Sequence, residues 1–131
     1  MKKESLNLQQ STAVKELGFN EPCFGFYNPN NKERDDSYVY GFEGGLPLHD
    51  WNDDEYNVIS VPLKSQFFRW VRERYGLRAR NYRFMNLTRG FSEGFEIFMY
   101  EKDSIAKVES LTYEQAEDDC IDKIIEILKS K

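Results

Sequence analysis

The chain has 131 residues, 40% of them apolar and 15% aromatic, enough to build a hydrophobic core without disulfides or a structural metal. A charged fraction of 31% and a formal net charge of -5 describe a mildly acidic protein, and no segment approaches the ~20 apolar residues of a membrane span. The first residues, MKKESLNLQQ, carry two lysines but no apolar stretch behind them, so the reading is of a cytoplasmic protein rather than an exported one.

Residues 1–6 read as a flexible tail. Asn7 to Leu17 then reads as a short helix, with Asn7 as its cap, Ala13, Val14 and Leu17 on one side, Gly18 as its stop and Phe19 folding back on the last turn. Residues 22–27, PCFGFY, form a predicted strand that ends at the Asn-Pro-Asn-Asn run of 28–31. Residues 28–36 are a polar loop and 37–42, SYVYGF, a partner strand, which makes 22–42 a hairpin. From Glu43 to Asn57 the chain has no periodicity and much Gly, Asp and Asn, the mark of a long loop. A short extended run at 58–61 leads to Pro62.

The segment from Pro62 to Tyr75 has the clearest pattern. Leu63, Phe67, Phe68, Trp70, Val71 and Tyr75 share one helical face, Ser65, Arg69, Arg72 and Glu73 lie opposite, and Gly76 supplies the left-handed stop. Two strands follow at about 77–86 and 94–102, joined by 87–93. The last element is a helix from Tyr113 to about Lys129, opened by a Thr112-x-x-Gln115 capping box with Leu111 placed to staple on Ala116. Its predicted buried stripe is Tyr113, Ala116, Cys120, Ile124, Ile127 and Leu128. The predicted fold class is α+β, in one domain over 1–131: about four antiparallel strands packed with helices, in the order α-β-β-loop-α-β-β-α.

Several motifs resemble catalytic or binding signatures. Gly90-Phe-Ser92-Glu-Gly94 matches G-x-S-x-G, but a nucleophile elbow needs a helix after the serine and a histidine later in the chain. Here a strand pattern follows, and the sole histidine, His49, comes earlier, so 90–94 reads as a turn. Asp118-Asp119-x-x-Asp122 resembles a magnesium–diphosphate motif, yet it sits on the polar side of a helix, where acidic residues solubilise the surface. Asp50-x-Asn52-x-Asp54 starts like a calcium loop, but Glu55 and Val61 stand where glycine and glutamate are needed. A looser cation site on Asp50, Asn52, Asp53 and Asp54 is the alternative there. Gly41, Gly44 and Gly45 lack the G-K-[ST] of a phosphate loop. Cys23 and Cys120 are remote from each other, with no C-x-x-C, and read as reduced, buried thiols. One histidine and two distant cysteines do not make a zinc site. The sequence therefore predicts no cofactor, no metal and no catalytic residue.

Charge is unevenly spread. From Pro62 to Phe91 there are eight cations (Lys64, Arg69, Arg72, Arg74, Arg78, Arg80, Arg83, Arg89) against one anion, Glu73. Arg78 and Arg80 alternate on a strand with Tyr82 and Phe84, so all four share a face. Arginines interleaved with aromatics suit stacking on unpaired bases and contact with phosphates. The set Arg69, Arg72, Arg78, Arg80, Tyr82 and Arg83 is thus a candidate nucleic-acid interface. Against it stands the last helix, whose six carboxylates offer these arginines a structural partner instead.

Three blocks carry a family resemblance. AVKELGFNEPCFGFY at 13–27, VPL…FRWVRERYGL within 61–77 and LTYEQAE opening 111–129 are similar, in the same order, to segments of small uncharacterised phage and prophage proteins. The resemblance implies a phage-derived accessory protein and carries no known activity or site residue. The expectation from the whole sequence is a non-catalytic accessory or protein-interaction domain whose partner is another protein. Nucleic-acid binding through 62–91 is the alternative, and no membrane partner is expected.

Overall fold

The structure is a computed structural model that describes residues 4–23, 25–28, 49–50, 52, 58–88, 90–100 and 103–130. Its described elements are three helices and five strands in two antiparallel sheets, an α+β protein. The chain divides into two compact units, 1–67 and 68–131.

The first unit holds α1 (Leu8–Glu16), β1 (Gly25–Tyr27), β2 (Ile59–Val61) and the start of α2 (Lys64–Tyr75). A reciprocal capping box opens α1: the Gln10 amide donates to Asn7 Oδ1 at 2.7 Å and the Asn7 amide donates to Gln10 Oε1 at 3.1 Å. The helix ends in a Schellman arrangement. Gly18, at φ 92, donates to the Lys15 carbonyl, and Phe19 donates to that of Val14. Phe19 is thereby buried, as its position after the stop glycine predicts.

The flexible tail expected over 1–6 is corrected at Ser5 and Leu6. Ser5 bridges Leu63, the Leu6 amide donates to the Pro62 carbonyl at 3.0 Å, and Leu6 is 0% exposed. The described partner of β1 is β2, in the register Gly25↔Val61, Phe26↔Ser60 and Tyr27↔Ile59. The strand expected at 37–42 lies outside the described residues. Tyr27 and Val61 are buried together with Leu8 and Ile59 packed on them, and the Tyr27 hydroxyl donates to the Leu6 carbonyl at 3.3 Å.

The second unit holds the rest of α2, then β3 (Leu77–Asn86), β4 (Gly90–Met99), β5 (Asp103–Ser110) and α3 (Tyr113–Lys129). The sheet order is β3-β4-β5, each pair antiparallel. Two boundaries differ from expectation. The connection between β3 and β4 spans 87–89 rather than 87–93, and 103–110 is a strand where the sequence suggests none. Gly76, at φ 72, ends α2 as predicted, its amide donating to the Arg72 carbonyl.

The helix α3 packs against β4 and β5. Ala116, Cys120, Ile121, Ile124, Ile125 and Leu128 are its buried residues, each large one worth about 1.5–3 kcal/mol when fully buried. The expected stripe shifts by part of a turn: Ile121 and Ile125 replace Tyr113 and Ile127 in it. The cap is also one-sided. Thr112 Oγ1 accepts from the Gln115 amide at 3.2 Å, but the Gln115 side chain donates onward to Asp119, and Leu111 is exposed rather than stapled on Ala116. No described helix is long and apolar enough to cross a membrane.

Candidate functional site

The pleat sorts the residues of the second unit. Leu77, Ala79, Asn81, Arg83 and Met85 lie opposite Met99, Ile97, Phe95, Glu93 and Phe91 on one face. This is the face that α3 covers: the Phe95 ring lies 5.6 Å from Tyr113 of α3 and 6.3 Å from Phe68 of α2. Arg78, Arg80, Tyr82 and Phe84 lie opposite Phe98, Glu96, Gly94 and Ser92 on the other face. Glu109, Lys107 and Ser104 of β5 complete it, because a register shift between Ile97 and Phe98 sets Ser104, rather than Ile105, beside Phe98.

On this open face the aromatic rings are braced. Arg78 and Arg80 are exposed, while Tyr82, Phe84 and Phe98 are half-buried. The Arg80 guanidinium stands 5.4 Å from the Phe98 ring centroid, a cation–π contact worth about 0.5–1 kcal/mol at an exposed site. The Tyr82 and Phe84 rings are 5.7 Å apart. Tyr82 extends across the central strand over Gly94, and its hydroxyl donates to Glu109 Oε2 at 2.9 Å. A Cβ on residue 94 would stand 2.5 Å from Tyr82 Cζ, so only glycine leaves room for the ring in this position. Burial, the Glu109 hydrogen bond and the charges of Glu109 and Glu96 push the Tyr82 phenol up to about 12.

Both carboxylates of the face have partners on it. Glu96 accepts from the Ser104 hydroxyl and lies 3.9 Å from Lys107, and Glu109 is held by Tyr82. Exposed pairs of this kind contribute at most about 1 kcal/mol. Across from Glu96, Arg80 rests on Phe98 instead of forming an ion pair with it, and so presents its donors outward from an aromatic ring.

Of the six candidate residues, the structure brings Arg78, Arg80 and Tyr82 together on the open face. It places Arg83 on the other face, that of α3, where it lies 3.6 Å from Glu93 and 4.7 Å from the Phe91 ring. Arg69 and Arg72 are exposed on α2, which approaches the sheet from the α3 side through Phe68. By the same parity Arg78 and Arg80 lie on the face of the sheet opposite α3.

The remaining motifs have structural placements. Ser92 is buried within β4, opposite Phe84, and Gly94 belongs to the strand. The turn reading of 90–94 is therefore corrected, and only Gly90, at φ 79, has turn geometry. Asn52 is a clamp: its Oδ1 accepts from the Ser60 amide at 2.8 Å, its Nδ2 donates to the Phe19 carbonyl at 3.0 Å, and its amide donates to Asp50 Oδ1. Asp53, Asp54, Gly41, Gly44 and Gly45 lie outside the described residues. Among the described residues no three His, Cys, Asp or Glu side chains are grouped to hold a metal ion.

One juxtaposition is invisible in the sequence: Cys23 and His49 face each other in an antiparallel bridge, exchanging both backbone hydrogen bonds at 2.7 and 3.1 Å. Burial pushes the Cys23 thiol up to about 12, and its Sγ donates towards the Glu21 carbonyl and Gln66 Oε1. A thiol so held is protonated at neutral pH and is a poor nucleophile. No family model matches the chain, and neither a curated protein nor a solved structure matches it.

Proposed function

We propose that the protein is a non-catalytic binding module that takes single-stranded nucleic acid on the open face of β3-β4-β5. The observation that carries this reading is the parity of the pleat. It sets Arg78 and Arg80 beside Tyr82, Phe84 and Phe98, on the side of the sheet away from the carboxylates of α3. Bases would stack on the rings, each stack contributing about 1–3 kcal/mol, while Arg78, Arg80 and Lys107 meet phosphates. Rings exposed on a sheet face also favour unpaired bases over duplex, whose bases offer no open π-face. The buried Ser92 and the protonated Cys23 are in keeping with a role without covalent chemistry. An accessory role of phage type follows from the sequence resemblance.

The test is fluorescence anisotropy of labelled single-stranded and duplex oligonucleotides at 50 and 200 mM salt. Two to three phosphate contacts give a salt slope of about −2, so single-strand affinity should fall about tenfold over that range. Arg78→Glu with Arg80→Glu should abolish binding in a protein that still unfolds cooperatively, because neither side chain lies under α3. Absence of binding at 50 mM salt would overturn the reading and return the protein-interaction domain to first place.

A further inference from the structure

The hairpin of β3 and β4 outruns the third strand. Pairing of β4 with β5 ends at Glu93↔Ser110, whereas β3 and β4 continue to Asn86↔Gly90. The last rungs are therefore a two-stranded ribbon projecting from the sheet. Its end exposes three apolar side chains: Leu87 is 99% exposed, Met85 60% and Phe91 56%, with Met85 and Phe91 directly opposite each other. Single exposed apolar residues are ordinary, but three together at the end of a projecting ribbon mark a contact surface.

We infer that this tip is a wedge that enters the base stack where single strand meets duplex; the inference rests on the nucleic-acid reading of the open face. The occupant is argued from the charge behind the tip. Arg83 lies 4.7 Å from the Phe91 ring on the face of Met85, and Arg78 and Arg80 lie farther back along β3 on the other face, so the ribbon carries apolar groups in front and guanidinium groups behind them on both sides. Apolar side chains inserted between base steps unstack them, and the neighbouring cations meet the phosphates that the distortion brings close. A junction is the cheapest place for this, since its terminal base pair is stacked on one side only. The open face would hold the emerging single strand while Leu87 and Met85 stand against the last pair.

The experiment compares a single-stranded oligonucleotide with a duplex carrying the same sequence as an overhang, with 2-aminopurine at the junction. The wild-type protein should prefer the junction by about tenfold, the worth of roughly one stacking contact, and raise the 2-aminopurine fluorescence. Leu87→Ser should remove the preference and the fluorescence rise while leaving single-strand affinity intact. Its near-complete exposure makes the variant harmless to folding, and Met85→Ser is the second variant. Equal affinity for both substrates, or a Leu87→Ser variant that weakens both alike, would overturn the wedge but not the binding face. No affinity for either substrate would overturn both. Conversion of a dimer to a monomer by Leu87→Ser, read by light scattering, would assign the tip to a second copy of the chain and overturn the wedge.

Discussion

Gly94→Ala is the substitution that most directly probes the open face. The new Cβ would stand 2.5 Å from Tyr82 Cζ, 2.7 Å from its hydroxyl and 2.8 Å from Cε2. Comfortable carbon contacts begin at about 3.5 Å, so the ring must lift by about 1 Å. That displacement takes the hydroxyl out of reach of Glu109, now 2.9 Å away. The atoms that move are the far end of a half-exposed side chain, so the cost is one surface hydrogen bond, about 0.5–1.5 kcal/mol. Against it, alanine stabilises a strand over glycine by about 0.5–1 kcal/mol. The net effect on stability should lie within about 1 kcal/mol of zero, or under ~5 °C in Tm.

The ring's surroundings should change much more than the stability. In the wild type the Tyr82 phenol is pushed up to about 12, so it stays neutral where ordinary tyrosines ionise. A raised pKa favours the neutral form in the folded state. The stabilisation it represents is complete below pH 10 and lost as pH rises through about 12. In Gly94→Ala the phenol should titrate closer to 10, followed by NMR of ring-labelled tyrosine with Tyr82→Phe to assign the signal. Single-strand affinity should fall in parallel. A Tm loss above ~10 °C, or a Tyr82 signal that still titrates near 12, would refute the reasoning.

Three further outcomes follow from the same contacts. Burial pushes both Cys23 and Cys120 up to about 12, so neither should react with a disulfide reagent at pH 8 until guanidinium unfolds the protein. Rapid labelling of the native state would contradict this. Asn52→Ala leaves the Ser60 amide and the Phe19 carbonyl without this partner and should cost about 1–3 kcal/mol in urea unfolding; an unchanged midpoint would contradict the clamp. Gly76→Ala, at φ 72, should cost about 1–2 kcal/mol for the left-handed backbone, plus the contact with the Tyr100 ring; adding Tyr100→Ala should recover only the second part.

Which parts of the fold the sequence reveals depends on how local the cause is. The ends of α1 and α2 are legible because the stop glycines and the residues after them act within one turn, and the α2 face is legible because its apolar spacing repeats. The pairing of β1 with β2 is not, since no local pattern joins Gly25 to Val61. β5 escapes notice because an exposed edge strand, DSIAKVES, needs few apolar residues. Gly94 misleads for a related reason: its lack of a side chain serves a ring on the neighbouring strand, which no local pattern records. The grouping of Arg78, Arg80 and Tyr82 follows from a period of two, and the same period places Arg83 on the other face. The hairpin tip and the Cys23–His49 bridge depend on where strands end and meet, which the sequence does not spell out.

The two-sided sheet makes the protein permissive towards one kind of genetic change and intolerant of another. Replacing a residue on the open face alters what the surface offers and leaves the helix-backed side untouched. Deleting one residue inside β3 would exchange the sides, turning Arg78 and Arg80 inward against α3 and Leu77 and Ala79 outward. Within the described β4–β5 ladder a length change can be absorbed where the pairing already slips, at the shift between Ile97 and Phe98. Variants of this chain should therefore diversify in side chains at 78, 80, 82 and 84 while holding their residue count there, and gain or lose residues near 104–105.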